Sequence, residues 1–579
     1  MNIRKWAVVV FASLNIIMGC GDDGDDANSV TTEPEEPVRP PNYITLVIDD
    51  MGFSDLGLFG GEVPTPNIDQ LASDGIILNN FYCGPTSTPS RGMLFTGKDN
   101  HPAGTGNMAG YMLSRPEQQG QPGYEGIMSL DVLPFAQVLQ ENGYHNMIVG
   151  KWDLGEEPDY YPINRGFDQT FVLLPGGDTH YLSDENGDVL TSHDPAKYAS
   201  LGRESLYNKN GQEFKDFPPN AYAARYYTDM AIEMLDNRDK DKPFYLSFCH
   251  ISPHSPLQAP GEVIDKYLEV YARGWDALRA ERFEHIRSMG IFPENAELPP
   301  RPDEVPAWDS LSEGEQMTEA KRMATYAAMI DILDENIGRL TDHLREIGEY
   351  DNTVIFFLSD NGGEYKAAGR APSRTQYLAE NFSGDEDYEN MGGPHSYITQ
   401  TIGWGMLSNT PFRRYKRDTY EGGVHTVAFA HYPKSGVTGV KSDRLSSIMD
   451  IAPTLLDMAD IEYPDTFNGS PNPPLQGISM AGLFDGAEDW DPERWIAWEL
   501  DGVKGVRKGS WKLSQQRNDG TECWYDDWHL FNLADDPFER YDLADTEPEK
   551  LQEMVAIYER YAEENGVIEL NPCPDEGDI

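Results

Sequence analysis

Ile44-Thr45-Leu46-Val47-Ile48-Asp49-Asp50 is an unbroken apolar and β-branched run that stops on two carboxylates. A run of this length without alternation suits a strand covered on both faces, as in the middle of a parallel sheet. The same pattern recurs along the chain. Residues 131–142 read as a helix ended by Gly143, and 144–149 as the strand that delivers Gly150-Lys151-Trp152-Asp153. Residues 222–235 and 244–248 form the next helix and strand, delivering Cys249-His250 and then His254. Met323, Tyr326, Ile330, Leu333, Ile337, Leu340, Leu344 and Ile347 share one helical face before Gly348. The strand at 354–358 follows and ends in Ser359-Asp360-Asn361-Gly362-Gly363. Thr65-Pro66 opens a further helix, closed at Gly75, ahead of a short strand at 76–78. This alternation predicts an α/β fold, a large and mostly parallel mixed sheet sandwiched by helices. Ligands of such sheets gather at the carboxyl ends of the strands, where these polar residues fall.

Pro85-Thr86-Ser87-Thr88-Pro89-Ser90-Arg91-Gly92-Met93-Leu94-Phe95-Thr96-Gly97 carries the chemistry. Pro89 fixes its own φ and biases Thr88 toward extended backbone. A helix that begins near Pro89 aims backbone N–H groups at whatever Ser87 holds. Ser87 and Arg91, four apart, then face one pocket, a nucleophile beside an anion-binding guanidinium. Asp49 and Asp50 end one strand, Asp360 and Asn361 another. Together they offer three carboxylates and an amide oxygen, hard ligands suited to Ca²⁺ or Mg²⁺ and not to zinc.

The chain has 579 residues, 45 basic against 98 acidic, for a net charge of −53. That field argues against nucleic acid or anionic lipid as general partners, and requires a local basic pocket for any anionic substrate. A solvated acidic surface of the kind saline habitats favour accounts for the charge itself. Arg4 and Lys5 precede a short apolar run over 6–18, the pattern of an export signal and too short for a stable span. It ends Ile17-Met18-Gly19-Cys20, which resembles the bacterial lipobox and implies a signal peptide over 1–19 and a lipid anchor at Cys20, on the periplasmic or cell surface. Residues 20–40, acidic and Pro-containing, read as a flexible tether. A large domain is expected over 41–480. Within it, 261–306 form a helical, charged and then Pro-rich excursion without chemistry of its own. A small α+β unit is expected over 481–579, with strands at 495–500, 505–513 and 528–533 and a helix at 548–564. Cys523 and Cys573 are candidates for a disulfide, a pairing that sequence leaves open.

Every position of the 85–97 string resembles the signature of the type I sulfatases, members of the alkaline phosphatase superfamily. The resemblance implies an alkaline phosphatase-like fold and a Ser87 oxidised after translation to formylglycine. A serine precursor resembles those matured by the anaerobic radical-type formylglycine-generating enzyme before export. Asp49-Asp50-Met51-Gly52-Phe53-Ser54-Asp55-Leu56-Gly57 and Ser359-Asp360-Asn361-Gly362 look like the family's paired metal motifs. They imply Asp49, Asp50, Asp360 and Asn361 as ligands, completed by modified Ser87, around calcium as the family's usual ion. Gly150-Lys151-Trp152-Asp153-Leu154-Gly155 is similar to a family string whose Lys contacts substrate sulfate, but Asp153 stands where the family has a His. His254 matches the proton donor to the leaving oxygen, and Lys416 the second sulfate-binding lysine. His425 stands where the family usually has Arg. His101 is a further candidate for the pocket lining, with a structural role as the alternative. Motifs at 274–279 and 305–311 place the similarity nearest the bacterial arylsulfatase branch.

The resemblance implies hydrolysis of sulfate monoesters of small molecules or carbohydrates at the S–O bond. One hydroxyl of the hydrated formylglycine attacks sulfur, and Arg91 and the metal lower its pKa and hold the anion. Lys151 and Lys416 neutralise sulfate oxygens, and His254 protonates the leaving alcohol. Asp153 takes the proton from the second hydroxyl as sulfate is expelled. Two other readings stay open on the residues: a phosphate or phosphonate ester hydrolase of the same superfamily, and a weakly active lipoprotein that binds sulfated glycans.

Overall fold

The computed structural model describes residues 39–200, 202–365, 375–487, 491–517 and 525–570. Cys20, the 1–19 signal and the Cys523 and Cys573 positions lie outside them. Ten strands form one sheet, ordered Val440–Ser442, Ile76–Leu78, Ala428–His431, Thr353–Ser359, Asn42–Ile48, Phe244–Cys249, His145–Lys151, Gln169–Leu173, Tyr207–Lys209 and Gln212–Phe214. The five strands from Thr353–Ser359 to Gln169–Leu173 are parallel. Antiparallel pairs flank them on both sides. This is the mixed, mostly parallel sheet that the helix and strand alternation predicts.

The strand Asn42–Ile48 is buried at every position. Ile44, Leu46 and Ile48 enter one apolar layer, Tyr43 and Val47 the other, because alternate side chains leave opposite faces. The first layer also holds Ala223–Asp236 and the long helix Glu313–Glu346, which opens on a reciprocal Ser312–Glu315 capping box. The second holds the apolar residues of helix Ser87–Thr96, all of whose residues are buried.

That helix starts at Ser87, two residues earlier than the proline suggests. Pro89 lies in the first turn, where its missing N–H forfeits no intrahelical bond, so Thr88 is helical and not extended. The excursion over 261–306 carries helices Gly261–Ile264, Leu268–Tyr271 and Trp275–Ser288. Its Arg282 reaches Asp55 at 2.8 Å and Glu62 at 2.6 Å, pinning the chain that follows Asp49-Asp50.

Near the C-terminus four antiparallel strands, Trp495–Leu500, Val503–Lys508, Trp511–Arg517 and Tyr525–Asn532, pack with helix Pro548–Asn565. The single strand expected over 505–513 is two. Lys508 pairs with Trp511 across Gly509-Ser510, and Gly509 takes a φ of +55°, so a two-residue turn reverses the chain.

His101 does not line the pocket. It is wholly buried, with Nδ1 on Asp99 at 2.8 Å and Nε2 on Glu499 at 2.9 Å, beside Tyr561 of the terminal helix. Burial opposes its charge, but the two carboxylates raise it to about 9. The folded value lies above the ordinary one, near 6.5. Its stabilisation is therefore complete below about pH 6.5 and is lost as pH rises through about 9. His101→Gln is expected to cost about 3 kcal/mol at pH 6. In thermal denaturation the gap from wild type should narrow steadily toward pH 10.

Candidate active site

Two neighbouring parallel strands set the site. Ile48 pairs with Ser359 in register, so Asp49-Asp50 and Asp360-Asn361 emerge side by side at the carboxyl edge. Asp50 turns the chain with a φ of +64°, and its N–H donates to Asp360 Oδ1 at 3.4 Å. Gly362 follows because a side chain there has no room: its Cβ would lie 1.8 Å from the Gly422 carbonyl oxygen.

Ser87, at the first turn of its helix, comes to this edge. Its Oγ lies 3.1 Å from Asp49 Oδ1 and 3.3 Å from Asn361 Oδ1. Each carboxylate has its own cation. Lys151 Nζ sits 2.8 Å from Asp49 and Lys416 Nζ 2.6 Å from Asp50. Arg91 donates from Nε and Nη2 to Asp360 Oδ2 at 3.2 and 3.0 Å, and from Nη1 to the Lys151 carbonyl at 3.0 Å. The expectation that Arg91 faces an anion beside Ser87 is thereby modified. Its guanidinium is fully buried and engaged by Asp360 and the Lys151 backbone, so it positions them.

Burial pushes the Asp49 and Asp360 carboxyls up, and the neighbouring aspartates add to it, against Lys151 and Arg91. Burial acts the same way on Asp50, yet Lys416 and His254 hold it below its ordinary value. Lys416 in turn is raised by Asp50 against the cost of burial. Three buried carboxylates this close strain to stay ionised together. Hard oxygen donors in that state fit a divalent cation, which supplies the missing positive charge. Asp49, Asp50 and His254 offer donor atoms all within 4.8 Å of one another.

His254 Nδ1 lies 2.5 Å from the Ser255 carbonyl and donates to it, leaving Nε2 facing Asp50 at 3.6 Å. Burial pulls its pKa down to about 4, with Lys416 and Lys151 adding to the effect against Asp50. His180 Nε2 donates to the His254 carbonyl at 2.8 Å and braces the loop. Asp153 has a φ of +60°, and its Oδ2 accepts from Thr88 Oγ1 at 2.8 Å. It therefore reaches the nucleophile's chain neighbour. His425, in the family's arginine position, bonds Glu421 at 2.7 Å and the Asn79 carbonyl at 2.7 Å, a structural role.

Sequence reasoning missed Glu364. It is 5 % exposed and accepts from Ser255 Oγ at 3.0 Å and Arg417 Nη2 at 2.9 Å, tying the His254 loop to the Lys416 loop. Its place directly after Asp360-Asn361-Gly362-Gly363 was the available signal.

Residues 41–461 match the family model described as sulfatase, and 413–563 match the model described as N-sulphoglucosamine sulphohydrolase, C-terminal. An uncharacterized sulfatase of Schizosaccharomyces pombe is 35% identical, over 92% of this chain and 95% of its own. An arylsulfatase of Klebsiella aerogenes is 30% identical, over 76% of this chain and 92% of its own. Among solved structures, one determined in complex with its substrate D-glucosamine-2-N,6-O-disulfate has the same fold. It aligns with a TM-score of 0.56 at 20% identity, over 93% of this chain and all of that one. With the strand-end carboxylates, the buried serine and the two lysines in one place, and with these matches along nearly the whole chain, this protein belongs to the sulfatase family and hydrolyses sulfate esters.

Proposed function

We propose that this sulfatase is a serine-type enzyme of the bacterial arylsulfatase branch that removes sulfate from a carbohydrate, with its nucleophile made from Ser87. One observation carries the site assignment: Ser87 Oγ lies within hydrogen-bond distance of Asp49 and Asn361, and the two adjacent aspartates carry the ammoniums of Lys151 and Lys416. The carbohydrate class is supported by the fold shared with the protein solved with its disulfated glucosamine substrate. Formylglycine at Ser87 would supply a hydrated aldehyde with two hydroxyls, where serine has one, and a divalent cation held by Asp49, Asp50, Asp360 and Asn361 would supply Lewis acidity, with Ca²⁺ preferred to Mg²⁺.

The chain's own residues do the rest. Lys151 and Lys416 bring two positive charges to an anion that the net charge of −53 otherwise repels. Arg91 fixes Asp360 and the Lys151 backbone, holding both in register with Ser87. His254 presents Nε2 to the leaving oxygen and hands it a proton. The approach of a sulfate anion raises the imidazole's proton affinity, offsetting its burial. Asp153, bonded to Thr88 beside the nucleophile, takes up the proton released there. The same reading makes the chain an exported lipoprotein, matured by a formylglycine-generating enzyme and anchored through Cys20 on the periplasmic or cell surface. Its support is the basic, apolar and lipobox-like order of residues 4–20.

Peptide mass of protein purified from its own host should show Ser87 lighter by two hydrogens, or as the hydrate. Unmodified serine, in a host that matures other sulfatases, overturns the reading. Ser87→Ala should lower kcat on a sulfate ester by about 10⁴-fold or more, and wild type should turn over sulfate esters faster than matched phosphate esters. A Ca²⁺ concentration about 100-fold above Kd should stabilise wild type by about 2.7 kcal/mol in thermal melts. Asp50→Asn should abolish most of that gain.

A further inference from the structure

We propose that the cavity bounded by Arg279, Arg301, Arg413, Arg414, Arg540 and Tyr541 is a second, non-catalytic subsite that takes another acidic sugar residue, sulfated or carboxylated, of the substrate chain. The inference rests on the carbohydrate sulfatase reading and names what the rest of the substrate must carry.

The cavity measures about 440 Å³, within the range of small-ligand pockets. Five arginines line it in a chain of net charge −53, against three acidic residues, Asp303, Glu304 and Glu539. Glu539 is wholly buried, and burial and the neighbouring Glu421 push its carboxyl up in spite of Lys512.

Arg413 is engaged by the Glu539 carbonyl at 3.1 Å and Arg414 by Glu304 at 3.6 Å, which leaves Arg279, Arg301 and Arg540 as the arginines a ligand would recruit. Arg279 is 6 % exposed, and its Nη1 donates to the Pro299 carbonyl at 2.8 Å, while its buried Nε has no partner. A desolvated guanidinium with an unmet donor costs stability that an anion in the cavity would relieve. Arg301 and Arg540 are held by Asp276 at 2.9 Å and Glu297 at 3.2 Å, partly exposed pairs of the kind that exchange readily for a ligand. Tyr541 is 60 % exposed under the Arg540 guanidinium, 5.0 Å from its ring centroid, and offers a sugar a stacking face beside positive charge.

Placement connects the cavity to the reaction. Arg413, Arg414 and Tyr415 form one wall, and the next residue is Lys416, whose ammonium lies on Asp50. Tyr415 packs on Tyr365 at 4.3 Å, and Tyr365 follows Glu364, which bonds the His254 loop through Ser255. The segment from Arg413 to Lys416 therefore contributes both to the cavity wall and to the charge on Asp50. The subsite requires that a substrate chain with its scissile sulfate at Lys416 set a further residue against these arginines, whose wall ends one residue before that lysine.

The test uses calorimetric titration of Ser87→Ala enzyme, which binds without turnover, with a sulfated tetrasaccharide prepared from heparin. Adding Arg301→Gln and Arg540→Gln should weaken binding about 10-fold. Tyr541→Ala, at an exposed position, should weaken it too and serves if the double variant does not fold. On the Ser87-containing enzyme the same changes should leave kcat/KM for 4-nitrophenyl sulfate within about twofold of wild type. No binding of the tetrasaccharide at millimolar concentration, equal binding by the variants, or inorganic sulfate binding as tightly as the tetrasaccharide overturns the subsite. Loss of all sulfate ester hydrolysis in the wild type, with variant-sensitive tetrasaccharide binding intact, would instead sink the parent reading and leave the subsite standing.

Discussion

Buried carboxylates at the end of a parallel sheet need positive charge, and the site is arranged around that need. Asp49, Asp50 and Asp360 are each 2 % exposed or less. None has enough water nearby to screen its neighbours, and in such surroundings an unpaired charge costs several kcal/mol. Lys151, Lys416 and Arg91 come from three separate parts of the chain to meet them one for one. The same need that orders the lysines leaves the cluster suited to a divalent cation. Once a cation shares the carboxylates, the ammoniums are the natural partners of an anionic substrate.

The scaffold that holds this charge is rigid for a simple reason. The central strands are parallel and covered on both sides, so their polar ends are the places where chain direction changes and backbone can be shaped by function. Asp50 and Asp153 both take left-handed backbone at such ends. Glycines let the backbone come close where a side chain would collide, as at Gly362 against the Gly422 carbonyl. Arg282 and Glu364 act as staples between loops distant in sequence, so the excursion over 261–306 serves the site by holding the chain after Asp50.

An enzyme with a net charge of −53 that works on anions must confine its positive charge to a few places. The proposed catalytic pocket is one, with two lysines and an arginine. The arginine-lined cavity next to the Lys416 loop is another, and the segment from Arg413 to Lys416 contributes to both. A polyanionic chain, drawn to two such spots, is held in one register, whereas a small aryl sulfate touches the first alone.

Local pattern was enough for the sheet, its long helix and the positions of the chemistry. Continuous apolar runs ending in Asp-Asp, Lys-Trp-Asp and Asp-Asn mark covered parallel strands whatever packs against them, because burial on both faces forbids alternation. Ser87 and Arg91 were legible from their spacing within one helical turn, whereas Lys151, His254 and Lys416 were legible only through the likeness of their motifs to those of the sulfatases. Tertiary structure alone decided how those groups share charge. Whether Arg91 holds an anion or an aspartate depends on where Asp360 arrives, 269 positions away. His101 looked like a pocket residue, and only the arrival of Glu499 and Tyr561 makes it a buried ionic link. The bridging Glu364 likewise follows from long-range pairing and burial. Those terms outweigh local preference, and sequence neighbours carry no record of them.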